Sequence, residues 1–216
     1  MFYEVYMFTI FESLFLLAID DEEGDLIESV KGEIEPVLAA GVLSELALNK
    51  RIRLKDGHIL VVDPAVIENS VLDRVLYYIL DTPRLRKIKY WINTLVYEKL
   101  SSEIGHYLVE KRVLVRKKKR LLLVAPYVEN ALAYVSAKYE VKRILREIVL
   151  ANRAAEPGEK IQLALLYHSD LLTLVFTRGE RKAAAKKIKK LIEENEKEGG
   201  NETLNLIISA ATRAAS

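Results

Sequence analysis

Between Gly41 and Pro64 the sequence GVLSELALNKRIRLKDGHILVVDP passes from a helical period to a strand period with nothing between them. Leu43, Leu46 and Ala47 recur at helical spacing. Ile52 and Leu54 then alternate with Arg51, Arg53 and Lys55, the period of a half-buried strand. Asp56-Gly57 suits a two-residue turn with φ > 0, and Ile59 to Val62 reads as the return strand, stopped by Asp63-Pro64. A chain with this stretch is expected to fold around a helix that feeds directly into a β "wing".

The same order returns in HYLVEKRVLVRKKKRLLLVAP. A helix ends at Tyr107 to Glu110, Lys111-Arg112 stands where Lys50-Arg51 stood, and an alternating strand at Arg112 to Val115 leads through Arg116 to Arg120 into an apolar strand, Leu121 to Val124. This is a pair of units, not an array.

Around these units the chain reads as mainly α-helical. Thr9-x-x-Glu12 is a capping box opening a buried helix to about Ile19. The helix of the first unit runs from about Glu33 and Pro36 to Leu48. Asn69 or Ser70 caps a helix ending by Asp81, and Thr82-Pro83 starts another, with Leu85, Ile88, Trp91, Ile92 and Leu95 inward. Trp91 lies on the apolar face and reads as core. The second unit's helix is expected over about 98–110 and further helices over 128–151, with Lys138, Lys142 and Arg146 outward. Ile161 to Phe176 is apolar nearly all round, as in a helix at the centre of a bundle. Arg181 to Glu198 is amphipathic, Gly199-Gly200 ends it, and Thr203 to Ala214 closes the fold. The expected architecture is a helical bundle around a buried helix, with amphipathic helices outside and two helix-plus-hairpin units, all in a single domain, 1–216.

Charge is distributed unevenly. Residues 1–50 hold eleven Asp/Glu against two Lys/Arg, a net of −9, which leaves 31 Lys/Arg against 20 Asp/Glu, a net of +11, for the remainder. That asymmetry suits an anionic partner. From Lys111 to Arg120 there are seven basic residues and no acid. Consecutive cations beside an apolar strand fit an interfacial anchor, in which Lys111, Arg112, Arg116, Lys117, Lys118, Lys119 and Arg120 attract anionic headgroups while Leu122 and Val124 dip into the boundary. A charged turn that keeps strand edges from pairing would look similar.

Enzyme chemistry finds no foothold. His58, His106 and His168 have no second ligand at metal spacing. His168, Ser169 and Asp170 are consecutive on a helix and diverge by about 100° each, so they form no relay. Five carboxylates between Asp20 and Asp25 lack the spacing of a calcium loop. There is no glycine-rich phosphate loop, no cysteine and no leader-like segment. No catalytic residue, metal or cofactor is expected, and a cytoplasmic setting is.

ELALNKRIRLKDGHILVVDP and LVEKRVL resemble two sequence blocks of the Golgi phosphoprotein 3 family in the same order. FTIFESLFLLAIDDEEGDL, PRLRKIKYWINTL and LALLYHSDLLTLVF extend the likeness over almost the whole chain. The resemblance implies a mainly helical domain that binds cytosolic membrane faces through phosphatidylinositol 4-phosphate. The family's headgroup residues, a tryptophan, an arginine and two basic residues, would fall on Val30, Ala39, Glu98 and Ser101 here, and none of the four matches. The expected function is a non-enzymatic, peripherally membrane-associated protein that binds anionic lipid through the basic hairpin. A winged-helix nucleic-acid binder is the alternative from another class, although the helix of the first unit is uncharged outside and that of the second carries Glu98, Glu103 and Glu110. An adaptor meeting an acidic protein, or self-association through the acidic first fifty residues, is a third reading.

Overall fold

In a computed structural model the protein is described over residues 8–21, 25–119, 127–132, 135–197 and 202–215. These residues form nine α-helices and two antiparallel hairpins: α1 (Ile10–Ala18), α2 (Lys31–Leu48), β1 (Ile52–Lys55), β2 (His58–Val61), α3 (Ser70–Asp81), α4 (Ile88–Tyr97), α5 (Leu100–Glu110), β3 (Leu114–Lys119), β4 (Tyr127–Leu132), α6 (Val135–Leu150), α7 (Pro157–His168), α8 (Arg181–Lys197) and α9 (Glu202–Ala215).

The central helix is α2, which packs on α1, α3, α4, α5, α7 and α9. Its side chains are buried on every side from Val37 to Ser44. Small residues permit this. A Cβ on Gly41 would stand 3.1 Å from Leu14 Cδ1 and 3.3 Å from the Phe11 Cα, so α1 and α2 cross where one of them has no side chain. All nine residues of α1 are buried, and at about 1.5–3 kcal/mol for each large apolar side chain this contact is a major part of the core.

The expectation of a central helix over 161–176 is corrected. That helix is α7, which stops at His168. Asp170 turns the chain with φ 57° and a short 3-10 turn follows at Leu172–Leu174. Polar Ser169-Asp170 supplies the exit that the apolar run obscured.

The first wing forms as read. Its register, Ile52↔Val61 to Lys55↔His58, leaves Asp56 (φ 52°) and Gly57 (φ 73°) as a two-residue turn. The capping box at Thr9 and the Asn69 side-chain cap on Leu72 N are both present, and Trp91 is buried between Tyr78 and Tyr90. The repeat also holds, shifted by one residue. Lys50 and Arg112 both leave their helices with positive φ, and the amide after each, on Arg51 and Val113, donates back to Leu46 and Leu108 respectively.

Two expectations about the middle of the chain are corrected. Residues 82–87 are not helical: Ile59 N donates to Arg86 O (3.0 Å), Ile88 N donates to Gly57 O (3.1 Å), and the segment lies along the wing with Leu85 outside. Main-chain groups of the turn outcompete the helix that Thr82-Pro83 would start. Residues 128–132 are strand β4, and α6 begins only at Val135. Residues 199–200 lie outside the described residues.

Replacing Gly41 tests the α1–α2 crossing. Gly41→Ala should be near neutral in urea unfolding, because a helix-propensity gain of up to about 1 kcal/mol offsets the crowding. Gly41→Val should cost about 1–3 kcal/mol.

Candidate anionic-surface site

The basic hairpin is rooted in a charged junction at the start of α1. Glu12, fully buried, accepts from Thr9 N (2.7 Å) with one carboxylate oxygen and from Lys111 Nζ (2.7 Å) with the other. Glu45, from the ELAL block, reaches the same helix start and accepts from Ile10 N (2.9 Å). Acids at a helix N-terminus satisfy its free amides and its dipole. Burial, reinforced by the nearby Glu12 charge and opposed by the Ile10 hydrogen bond, raises the pKa of Glu45. For Lys111 burial works against the charge, but Glu12 and Tyr107 outweigh it and raise its pKa. Tyr107 lies 5.3 Å below the ammonium and its hydroxyl accepts from Asn69 Nδ2 (2.8 Å).

From this junction the chain runs outward. Lys111 is engaged with Glu12, Arg112 is exposed in the helix exit, and Val113 and Leu114 are buried, pinning the base of the hairpin to the core. Arg116, Lys117, Lys118 and Lys119 belong to strand β3, not to the turn that the sequence suggested, and β3 pairs with β4 from Leu114↔Leu132 to Lys119↔Tyr127. The partner strand is therefore Tyr127–Leu132, not 121–124. A cationic run need not be a turn, because neighbouring residues of a strand alternate between its faces. Arg120, Leu122 and Val124 lie outside the described residues.

The positions corresponding to the family's headgroup residues are built differently here. Val30 is buried at the start of α2 and Ala39 is buried within it. Glu98 ends α4, and the Ser101 hydroxyl donates to Glu35.

The α6 cations lie on the outer side of their helix, as the periodicity places them, and two of them meet partners there. Lys138 bonds Ile19 O (2.6 Å) and Asp21 (2.8 Å), clasping α6 to the end of α1. Arg146 grips Glu180 with two 2.7 Å bonds and also donates to Val175 O (3.1 Å). With Thr177 donating as well, Glu180 is held well below the carboxylate range, at about 2. Between these clamps Lys142 faces an open groove of about 650 Å³ lined also by Tyr139, Leu150 and Phe176, and burial together with Lys138 and Arg146 lowers its pKa. The i, i+4, i+8 spacing of Lys138, Lys142 and Arg146 was visible in the sequence, but their partners lie far away along the chain.

Lys111→Met should destabilise the protein by about 2 kcal/mol, the scale of a lost hydrogen bond to a charged group, read from the urea midpoint. Glu45 gives a signed pH dependence. Its folded pKa lies above the ordinary 4.5, so its ionisation opposes folding and the penalty disappears as pH falls through that raised value. Glu45→Gln keeps an acceptor for Ile10 N, so its stability relative to wild type should be greatest at neutral pH and shrink on acidification.

Among the described residues no helix is long and apolar enough to cross a membrane, and no group of three His, Cys, Asp or Glu could hold a metal ion. Comparison with curated proteins finds no match. A family model described as Golgi phosphoprotein 3 (GPP34) matches residues 10–211, nearly the whole chain. Membership implies, in general terms, phosphoinositide binding and peripheral association with membranes. Both the ELAL and the LVEK blocks meet at the start of α1, and the chain belongs to the Golgi phosphoprotein 3 (GPP34) family, a non-enzymatic lipid-binding and adaptor family.

Proposed function

We propose that the protein, acting as one domain over 1–216, binds the anionic headgroups of a cytosolic membrane face through its β3–β4 hairpin. The observation that carries this reading is a run of cations with no acid from Lys111 to Arg120, of which Arg116 to Lys119 lie in strand β3 beyond the buried Val113 and Leu114. A charge cluster on a rooted projection meets a surface without unfolding anything. Lys111 neutralises Glu12 and steadies the base, so headgroup contact falls to Arg112, Arg116, Lys117, Lys118, Lys119 and Arg120, with Leu122 and Val124 as the apolar contribution. At about 1 kcal/mol per basic residue near an anionic leaflet, this set is enough to decide partitioning. With buried Val30 and Ala39 and acidic Glu98 at the family's headgroup positions, the reading is of charge recognition with little selectivity among headgroups.

Co-sedimentation separates these claims. The protein should pellet with phosphatidylcholine vesicles containing phosphatidylserine and with those containing phosphatidylinositol 4-phosphate, and stay in solution with phosphatidylcholine alone. Lys117→Glu/Lys118→Glu/Lys119→Glu should lower both partition coefficients by more than about tenfold. A preference for the inositide that survives the triple substitution would refute the hairpin as the site.

A further inference from the structure

A second surface carries the same chemistry on residues that are all described. Between Thr82 and Tyr97 there is no Asp or Glu, while Arg84, Arg86, Lys87 and Lys89 are all exposed. Among the described residues none of these four meets a carboxylate within ion-pair distance. Asp81 and Glu98 are the acids nearest to the strip along the chain, and Asp56 lies in the turn whose Gly57 carbonyl accepts from Ile88 N.

The strip also presents apolar groups to water. Leu85, between two arginines, is 62% exposed, and Tyr90 is 40% exposed with the Arg86 guanidinium 4.9 Å from its ring centre. Tyr77 and Leu80, one turn apart on the outer side of α3, are exposed as well. Leu85 is not loose. The Ile59–Arg86 and Gly57–Ile88 hydrogen bonds hold its neighbours against β2, while Ile88 and Trp91 sink into the core behind it. The result is an exposed apolar side chain held in place through its neighbours' main chain, beside cations that have no carboxylate partner among the described residues.

A partner must satisfy both halves. A nucleic acid offers charge to the arginines but no apolar layer for a protruding leucine, and an acidic protein would have to add an apolar pocket shaped to it. An anionic bilayer offers phosphates at the surface, a belt where tyrosine rings settle, and hydrocarbon immediately below. We propose that Arg84 to Tyr90 is a second membrane-contact surface, in which Leu85 enters the headgroup–acyl boundary of an anionic leaflet while Arg84, Arg86, Lys87 and Lys89 meet lipid phosphates. This rests on the reading of the protein as a peripheral membrane protein, but it assigns contact to residues outside the hairpin.

The absence of cysteine makes the test direct. Leu85→Cys, carrying an environment-sensitive fluorophore, should shift to the blue and become shielded from aqueous iodide on adding phosphatidylcholine vesicles containing phosphatidylserine, and should not respond to polyglutamate. Arg84→Glu/Arg86→Glu/Lys89→Glu should lower vesicle partitioning by about a hundredfold, at about fivefold per basic residue, and Leu85→Ser by about tenfold. Because these side chains are exposed, the thermal midpoint should stay at the wild-type value in each variant. Sedimentation of the wild type with a probe that remains aqueous, or a charge variant that binds as wild type does, would overturn this surface and leave the hairpin reading standing. Loss of binding in the strip variant but not in the hairpin variant would uphold the strip and overturn the hairpin. A probe that answers polyglutamate but not vesicles would overturn the strip as a membrane surface, and a wild type that sediments with no vesicle would overturn both.

Discussion

A carboxylate with no access to water organises this protein. An isolated buried charge costs several kcal/mol, and Glu12 is tolerated because every part of its surroundings answers it: the helix start it caps, the Thr9 amide, and the Lys111 ammonium. Glu45 brings a second acid to the same helix end. Glu45 of the ELAL segment and Lys111 of the LVEK segment therefore meet at one structural junction. These two residues help to seat α1 on α2 and α5.

The uneven charge of the chain acquires a different meaning in three dimensions. Among the described acids of the first fifty residues, Glu12 takes up Lys111 and Asp21 takes up Lys138. Glu180 similarly takes up Arg146. Internal pairing consumes cations at the base of the hairpin and along α6. The arginines and lysines of the strip at 84–89 face solvent with no such counterpart among the described residues. A small net charge thus coexists with local concentrations of positive potential, which is the quantity an anionic surface responds to.

What was legible in the sequence was local. The Asp56-Gly57 turn, the Thr9 box, the Asn69 cap and the inward face of α4 around Trp91 are each set by residues a few positions apart, and each was found where the sequence put it. What escaped was decided by distant partners. Residues 82–87 lost their helix to main-chain groups of the wing. Periodicity placed Lys138 and Arg146 outside their helix axis correctly, but could not say that another element waits there to bind them. α2 and α7 are both apolar enough to be central. The choice between them fell to the small residues of α2, which let a neighbour approach its backbone. As for the site, its charge was legible and its strand register was not, because a run of cations carries little information about where a strand ends.

The span of the bonds at the α1 junction bears on how the chain acquires its structure in time. Lys111 lies 99 residues beyond Glu12, and Lys138 lies 117 beyond Asp21, whereas α2 and the first wing are contiguous. Elements joined by short loops close early, and contacts across long ones wait. A growing polypeptide emerges from its amino terminus, so α1 is made first and completed late. Until Lys111 has been made, the acid at the head of α1 has no such cation to meet it, and the segment that leads into the hairpin supplies it.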